Sequence, residues 1–256
     1  MGKKGQLALF IGWPIFAALV SYYLNVSAMG SVVIFFVVPC VYLSFLLPGL
    51  IKKGIIFSFF PALAMITVSY IVHITQQWVI PVTAFPFRLF NIVPVEDPIG
   101  IFLVVYFIIL FYEYFLEPHR KQKFWHIRMK YFAGIFLAAF LVFLIFYMFF
   151  PQNLLIPKFF FWMGFIAVFV PAIIELIRKP LLLPKFLSAG LYFAYFLFIF
   201  EIVGLKLNLW LFPANWYVGT VVLLGISIPF EEFLFWILLF AIGVLSYYEP
   251  FDDDEK

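Results

Sequence analysis

The chain has a single cysteine, Cys40, so it can hold neither a disulfide framework nor a thiolate metal site. Its three histidines, His73, His119 and His126, are spaced in no metal-ligand pattern. Charge is scarce: Asp, Glu, Lys and Arg make up 11% of 256 residues. The net charge of +3 comes from basic residues at the ends of apolar runs, not from a basic domain, so it is no sign of nucleic-acid binding, and no nucleic-acid partner is expected. No Gly-x-Gly-x-x-Gly turn is present for a dinucleotide and no Asp-x-x-x-Asp cluster for a metal-bound diphosphate. The first apolar run follows Lys3 and Lys4 and continues from Gln6 to Leu24 without a small-x-small cleavage site, so it reads as a span, not a signal peptide.

What the chain has instead is hydrocarbon. Hydrophobic residues make up 66% of it, including 39 Phe, more apolar surface than a water-soluble globule of this size can hide. Apolar runs of about 20 residues, the length that crosses a bilayer core, recur at 6–24, 30–50, 55–77, 96–117, 131–150, 159–177, 186–204 and 230–248. Pro39, Pro61 and Pro171 fall inside them, where proline kinks a helix without having to break it. An even number of spans puts Lys3, Lys4, Lys52, Lys53, the run from Arg120 to Lys130, Arg178, Lys179, Lys185 and Lys256 on one side, leaving only Arg88, Lys158 and Lys206 on the other. Positive residues stay inside, so both termini are expected in the cytoplasm.

The same unit occurs twice. "LIKKGIIF", "TQQWVIP", "NIVPVEDPIGIFL" and "YFLEP" in the first half are answered by "LIRKPLLL", "LNLWLFP", "GISIPFEEFLFW" and "SYYEP" in the second. Pro94, Glu96 and Asp97 thus correspond to Pro229, Glu231 and Glu232, Trp78 to Trp210, and Glu117-Pro118 to Glu249-Pro250. The expected fold is an all-α integral membrane protein of about eight transmembrane helices in two tandem four-helix pseudo-repeats. Residues 1–118 form the first repeat, 119–130 a basic cytoplasmic linker, 131–250 the second repeat and 251–256 an acidic C-terminal tail. An axis along the membrane normal would relate the repeats and bring the two acidic motifs to one depth. The expected location is the cell (plasma) membrane, multi-pass.

Seven carboxyls lie in or at the edge of apolar runs: Glu96, Asp97, Glu113, Glu175, Glu201, Glu231 and Glu232. An unpartnered carboxylate in hydrocarbon costs several kcal/mol, so such groups face a bundle interior or a cavity. A dry site and a neighbouring carboxyl favour the protonated form, while helix N–H groups favour the ionised one. Adjacent helical residues point about 100° apart, so one member of each pair can work in a cavity while the other orients it. Glu201, near the outer end of its span, joins the two pairs as a site candidate; Glu113 and Glu175 suit structural roles, and Glu117 and Glu249 the inner edge. The segments before each pair, "WVIPVTAFPFRLFN" and "LWLFPANWYV", are too short and broken to span. Their aromatic residues suit either bilayer anchors or a lid over a substrate cavity whose ring faces attract a carbocation. The candidates are Trp78, Phe85, Trp210, Phe212, Trp216 and Tyr217, with Phe233 and Trp236 one turn further on.

The stretch "IPFEEFLFW", preceded by "NLWLFPANWYVG", resembles the signature of the heterodimer-type lycopene cyclases, small membrane proteins found as two subunits in some bacteria and as one fused chain in archaea and fungi. Their Pro-x-Glu-(Glu/Asp) motif is matched by Pro229, Phe230, Glu231 and Glu232, and continued by Phe233, Leu234, Phe235 and Trp236. The first-half counterpart, Pro94, Val95, Glu96 and Asp97, loses the aromatic continuation at Pro98. The resemblance implies a lycopene β-cyclase, an isomerase of carotenoid biosynthesis that needs no cofactor. A carboxylic acid protonates a linear ψ-end, the cation closes a six-membered ring, and proton loss gives a β-ring, or an ε- or γ-ring if another carbon loses it. Glu231 is expected as the principal acid with Glu232 and Glu201 in support, and Glu96 and Asp97 as the opposing pair. The expected partners are a polyene substrate and membrane lipid; a homo-oligomer or association with other carotenoid-pathway membrane enzymes is compatible with this. A C50 carotenoid substrate fits the same motif. A glutamyl intramembrane protease is disfavoured because "EEFLFW" lacks an Arg after the Glu pair, and proton-coupled transport because few polar residues could line an aqueous path. A retinal-type binding protein would need a lysine within a span.

Overall fold

The computed structural model of the chain describes residues 2–117 and 129–251. His119, His126, nearly all of the basic linker and the acidic residues of the tail lie outside the described residues.

Among the described residues, seven helices are long and apolar enough to cross a membrane: α1 (Lys3–Leu24), α2 (Ala28–Leu46), α3 (Pro48–Ile74), α4 (Glu96–Leu116), α5 (Lys130–Phe149), α6 (Phe159–Arg178) and α7 (Pro180–Lys206). They meet the first seven expected spans, with the largest differences at the starts of α3 and α7, which begin at Pro48 and Pro180 where 55 and 186 were expected. The eighth is helical but interrupted: a wide π turn, Glu232–Leu238, gives way at Leu239 to α8, Phe240–Tyr248. Neither Pro nor Gly marks the break; the Leu239 N–H reaches back five residues to Leu234 O, and Leu239 lies at the edge of the helical region with φ −106° and ψ −11°. The second departure from an all-helical chain is a pair of short hairpins. β1 (Arg88–Leu89) pairs with β2 (Val93–Pro94), and β3 (Thr220–Leu223) with β4 (Ile226–Pro229), both antiparallel. Leu224 and Gly225, both at positive φ, make the two-residue turn between β3 and β4.

Which helix is central follows from which is apolar all round. In α4 every residue from Val104 to Tyr112 is buried, and Phe107 and Phe111 pack against Tyr192, Phe193 and Phe196 of α7; Phe111 and Tyr192 stack at 4.2 Å. At the periphery the apolar side chains point outward: Phe45 is 81% exposed and Ile177 75%. An outer surface of that kind belongs against lipid, and the chain is a multi-pass membrane protein.

Elements recur at a fixed spacing. The helical stretches Ile51–Ile74 and Leu183–Lys206 are each 24 residues long, and the second begins 132 residues after the first. Pro39 and Pro171 stand at the same spacing, each just after a π turn, Val33–Val37 and Phe165–Phe169. The wider turn absorbs the missing proline N–H and the clash of its ring, so both helices continue through. The basic pairs that look alike in sequence do not share a position: Lys52 and Lys53 follow the short 3₁₀ turn Pro48–Leu50, whereas Arg178 and Lys179 precede Pro180–Leu182. Pro48 and Pro180 mark the true register.

One end of the bundle is held by ion pairs. Lys185 binds Glu117 at 2.5 Å, Lys179 lies 3.1 Å from Glu175 and 3.8 Å from Glu249, and Lys3 donates to Tyr114 O at 3.2 Å. Tyr112 donates to Glu249 while Tyr248 donates to Glu113, a reciprocal exchange that ties the end of α4 to the end of α8. Lys53, buried in the first turn of its helix, lies 3.9 Å from Glu113 and 4.8 Å above the Tyr248 ring. Removing one partner of a buried pair costs about 3–5 kcal/mol. Lys53→Ala is therefore expected to lower the unfolding midpoint in detergent clearly; an unchanged midpoint would show that the pair contributes nothing.

Candidate functional site

The opposite end of the bundle carries both hairpins, and each delivers an acidic pair by the same construction. After β2 the chain enters α4 at Glu96 and Asp97; after β4 it enters the π turn at Glu231 and Glu232. The first acid of each pair is taken by the loop: Glu96 Oε1 accepts from the Ala84 N–H at 2.5 Å, and Glu231 Oε1 accepts from the Val218 N–H at 2.6 Å. A charge-assisted bond of this length pins the approach to each hairpin onto the start of the helix below it.

Between the halves lies a cavity with about 950 Å³ of space between atoms, part of it at the open mouth. Its walls come from α2, α3, α4, α7 and the π turn, and the titratable groups on them are Glu96, Asp97, Glu201 and Glu232. The remaining wall is apolar or aromatic and includes Trp78, Trp210 and Trp236. Seven of the residues expected from the sequence therefore meet at one surface. Glu231 is not on it. The residue expected to be the principal acid is fully buried beside Val218, whereas Glu232, one position on, reaches the wall. Phe85, Phe212, Tyr217 and Phe233 are half-buried outside the cavity wall, and Trp216 is exposed on the loop, as a bilayer anchor would be.

Glu201 accepts a hydrogen bond from Trp210 Nε1 at 3.0 Å. Glu96 Oε2, Asp97 Oδ1 and Trp236 Nε1 are buried and find no hydrogen-bond partner among the described residues. These are the polar atoms a reacting group in the cavity would meet. A second cavity, of about 680 Å³, shares Met65, Val68, Ile101, Trp236 and Phe240 with the first and runs on to Phe57 and Tyr247. From Glu232 to Tyr247 the chain advances roughly 20 Å at helical rise, so the two adjoining cavities, together the slot, follow one another along the bundle with carboxyls at one end.

The segments above the slot are fastened to each other. Val79 and Leu211 exchange both backbone hydrogen bonds, at 3.0 and 2.9 Å, and stand 132 residues apart, the spacing of Ile51 and Leu183. The Ala214 N–H donates to Gln76 O at 2.9 Å and the Tyr217 hydroxyl to Gln77 O at 2.6 Å. Burial above all, with the carboxylates Glu231 and Glu232 adding to it, raises the Tyr217 pKa well above the usual phenol value, which keeps it a donor.

Sequence reasoning passed over Ser69 and His73, whose chain of contacts ends on Asp97. Ser69 donates to Asp97 Oδ2 and lies 3.2 Å from His73 Nδ1. Their spacing of four residues on one helix face was the available signal.

Gly204 seats Trp210: a Cβ there would run into the indole ring. Gly204→Ala is expected to displace the ring from Glu201 and to cost about 1–3 kcal/mol, whereas Trp210→Phe loses the N–H with less strain. Thermal unfolding of the two variants in detergent checks the order; equal midpoints would rule out this seating.

No protein family, curated protein or solved structure was found to match the chain.

Proposed function

We propose that the chain is an intramembrane acid–base enzyme, a lycopene β-cyclase that closes the linear ψ-end of lycopene, or of a closely related carotene, into a ring without net oxidation or reduction. The observation that carries this reading is the placement of Glu96, Asp97, Glu201 and Glu232 at one end of an otherwise hydrocarbon slot. A carboxylic acid on that wall adds its proton to the terminal double bond. The tertiary cation is attacked by the next double bond of the ring-forming end, and a carboxylate takes the proton whose loss leaves the β-ring. Asp97 and Glu232, the second acids of the two pairs, are the leading donor and acceptor, and Glu201 supports Glu232. The faces of Trp78, Trp210 and Trp236 offer cation–π stabilisation of about 0.5–2 kcal/mol each to the charge while it exists. The apolar continuation of the slot accommodates the unreacting polyene.

The same reading takes the chain as a duplicated four-helix unit, with residues 232–248 as its eighth span and both termini cytoplasmic in the cell membrane. The 132-residue register and the reciprocal Val79–Leu211 bridge support the duplication.

Expression of the intact chain in lycopene-accumulating cells, followed by chromatography of the pigments, tests the function. A mono- or bicyclic product is expected. Unchanged lycopene beside folded, membrane-inserted protein would overturn the lycopene assignment, and a C50 or otherwise modified carotenoid would be tried next.

A further inference from the structure

The two half-sites are not copies. The residue of α7 that stands where α3 has Ser69 is Glu201, and the one that stands where α3 has His73 is Leu205. Asp97 is therefore served by a hydroxyl and an imidazole, whereas Glu232 faces a carboxyl held by an indole N–H. An indole N–H donates but has no lone pair with which to pass a proton on. A serine hydroxyl both donates and accepts.

The hydrogen bonds of His73 fix its tautomer. Nδ1 lies 2.8 Å from Ser69 O, a carbonyl that can only accept, and Nε2 lies 3.3 Å from the Ile80 N–H, which can only donate. The proton is thus on Nδ1, between the carbonyl and the hydroxyl of Ser69, and the hydroxyl in turn points at Asp97 Oδ2. Neither Ser69 nor His73 is on the wall of the slot, and both are buried. His73 sits in the last turn of α3, next to Gln76, which is exposed and donates to His73 O at 3.0 Å. The imidazole of His73 and the hydroxyl of Ser69 therefore lead from the last turn of α3, at the hairpin end of the bundle, to one carboxyl of the site.

We propose that His73 and Ser69 form a proton relay that reloads Asp97 from the hairpin-end surface, which makes Asp97 the member of the site in exchange with the outside. This rests on the acid–base reading of the site. In the reloading step a proton arrives at Nε2 and displaces the Ile80 contact. The Nδ1 proton passes to Ser69 Oγ, and the Ser69 proton passes to the Asp97 carboxylate. One proton enters and one is delivered; the imidazole is left with its proton on Nε2, and loss of that proton with reprotonation at Nδ1 restores the starting tautomer. The other charged groups around Asp97 are Glu96 on the same helix, Glu201 and Glu232 on the shared wall, and Arg88. The Arg88 guanidinium is occupied by Ile80 O at 2.7 Å and Ile92 O at 3.0 Å, so it holds the loop above His73 in place.

Ser69 and His73 are positioning residues, and the test reads Asp97 itself. The intact protein in phosphatidylcholine vesicles is given a pH jump while the infrared carboxyl stretch is followed, with the Asp97 band assigned by its loss in Asp97→Asn and the Glu232 band by its loss in Glu232→Gln. Ser69→Ala and His73→Phe are each expected to slow the Asp97 response about tenfold or more. Ser69→Thr, which keeps the hydroxyl, is expected to restore the rate, and the Glu232 band is expected to keep its wild-type rate in all three. An Asp97 band that responds at the wild-type rate in Ser69→Ala, that slows together with the Glu232 band, or that does not respond to pH in the wild type overturns the relay. The measurement needs no substrate, so failure of the intact chain to cyclise a polyene would sink the proposed function while leaving the relay to be judged on its own.

Discussion

Glu232→Gln is expected to abolish ring formation, while Glu231→Gln leaves it measurable. The two side chains are neighbours in sequence, but only Glu232 is on the wall of the slot; Glu231 spends one oxygen on the Val218 N–H. Removing a group that transfers a proton in the rate-determining step costs about 10²–10⁴ in rate. An amide at 232 keeps the size and can neither give nor take a proton. An amide at 231 still offers a carbonyl oxygen to the Val218 N–H, so the loop stays attached by a weaker, uncharged bond of about 0.5–1.5 kcal/mol. Pigment ratios from lycopene-accumulating cells expressing each variant at matched levels read the contrast directly. The reverse order would return the principal role to Glu231. Equal, mild losses would remove both from the chemistry.

A second large effect is expected where no polar group is involved. Ala64 lines the continuation of the slot together with Phe57, Phe132 and Met163. Ala64→Phe puts a ring where the unreacting chain is proposed to lie, and pockets discriminate by about 10–200-fold for each misfitting methylene. Turnover of full-length lycopene is expected to fall about 100-fold or more, while a truncated polyene bearing the same ψ-end is still cyclised. Side-by-side assays on the two substrates separate the outcomes. Loss of both activities would mean that the ring damages the bundle, and retention of both would put the polyene elsewhere.

Most of the framework was legible because it rests on composition. Runs of about 20 apolar residues have few ways to be anything other than spans, and seven of them are helices over the stretches where hydropathy put them. The duplicated Pro-x-acid-acid motif correctly drew attention to both helix starts. What hydropathy could not say was which acid of each pair turns inward. In the second pair that depends on a single loop N–H, from Val218, which holds Glu231 off the wall and leaves Glu232 for the cavity; in the first pair both Glu96 and Asp97 line it, although the Ala84 N–H binds Glu96. The hairpins were hidden for a similar reason. Their aromatic and proline content reads as interfacial anchoring, and only the alternation in "ISIP" with Gly225 before it hints at a strand after a turn. Ser69 escaped notice because a serine within an apolar helix ordinarily bonds to its own backbone, and here it turns to another helix.

The bridge between Val79 and Leu211 has a consequence for how such a chain can change over time. A contact in which each of two equivalent residues does to the other what the other does to it is what identical subunits make about a two-fold axis. Two separate, identical subunits would have to carry the same residue at 69 and at 201, serine twice or glutamate twice. Under the proposed duplication, two halves joined in one chain and held at the high effective concentration that a tether provides keep the shared contact and are released from the obligation to match elsewhere. Serine on one side and glutamate on the other is the asymmetry that this release permits, and a reaction that needs one group to give a proton and another to take it has use for halves that differ.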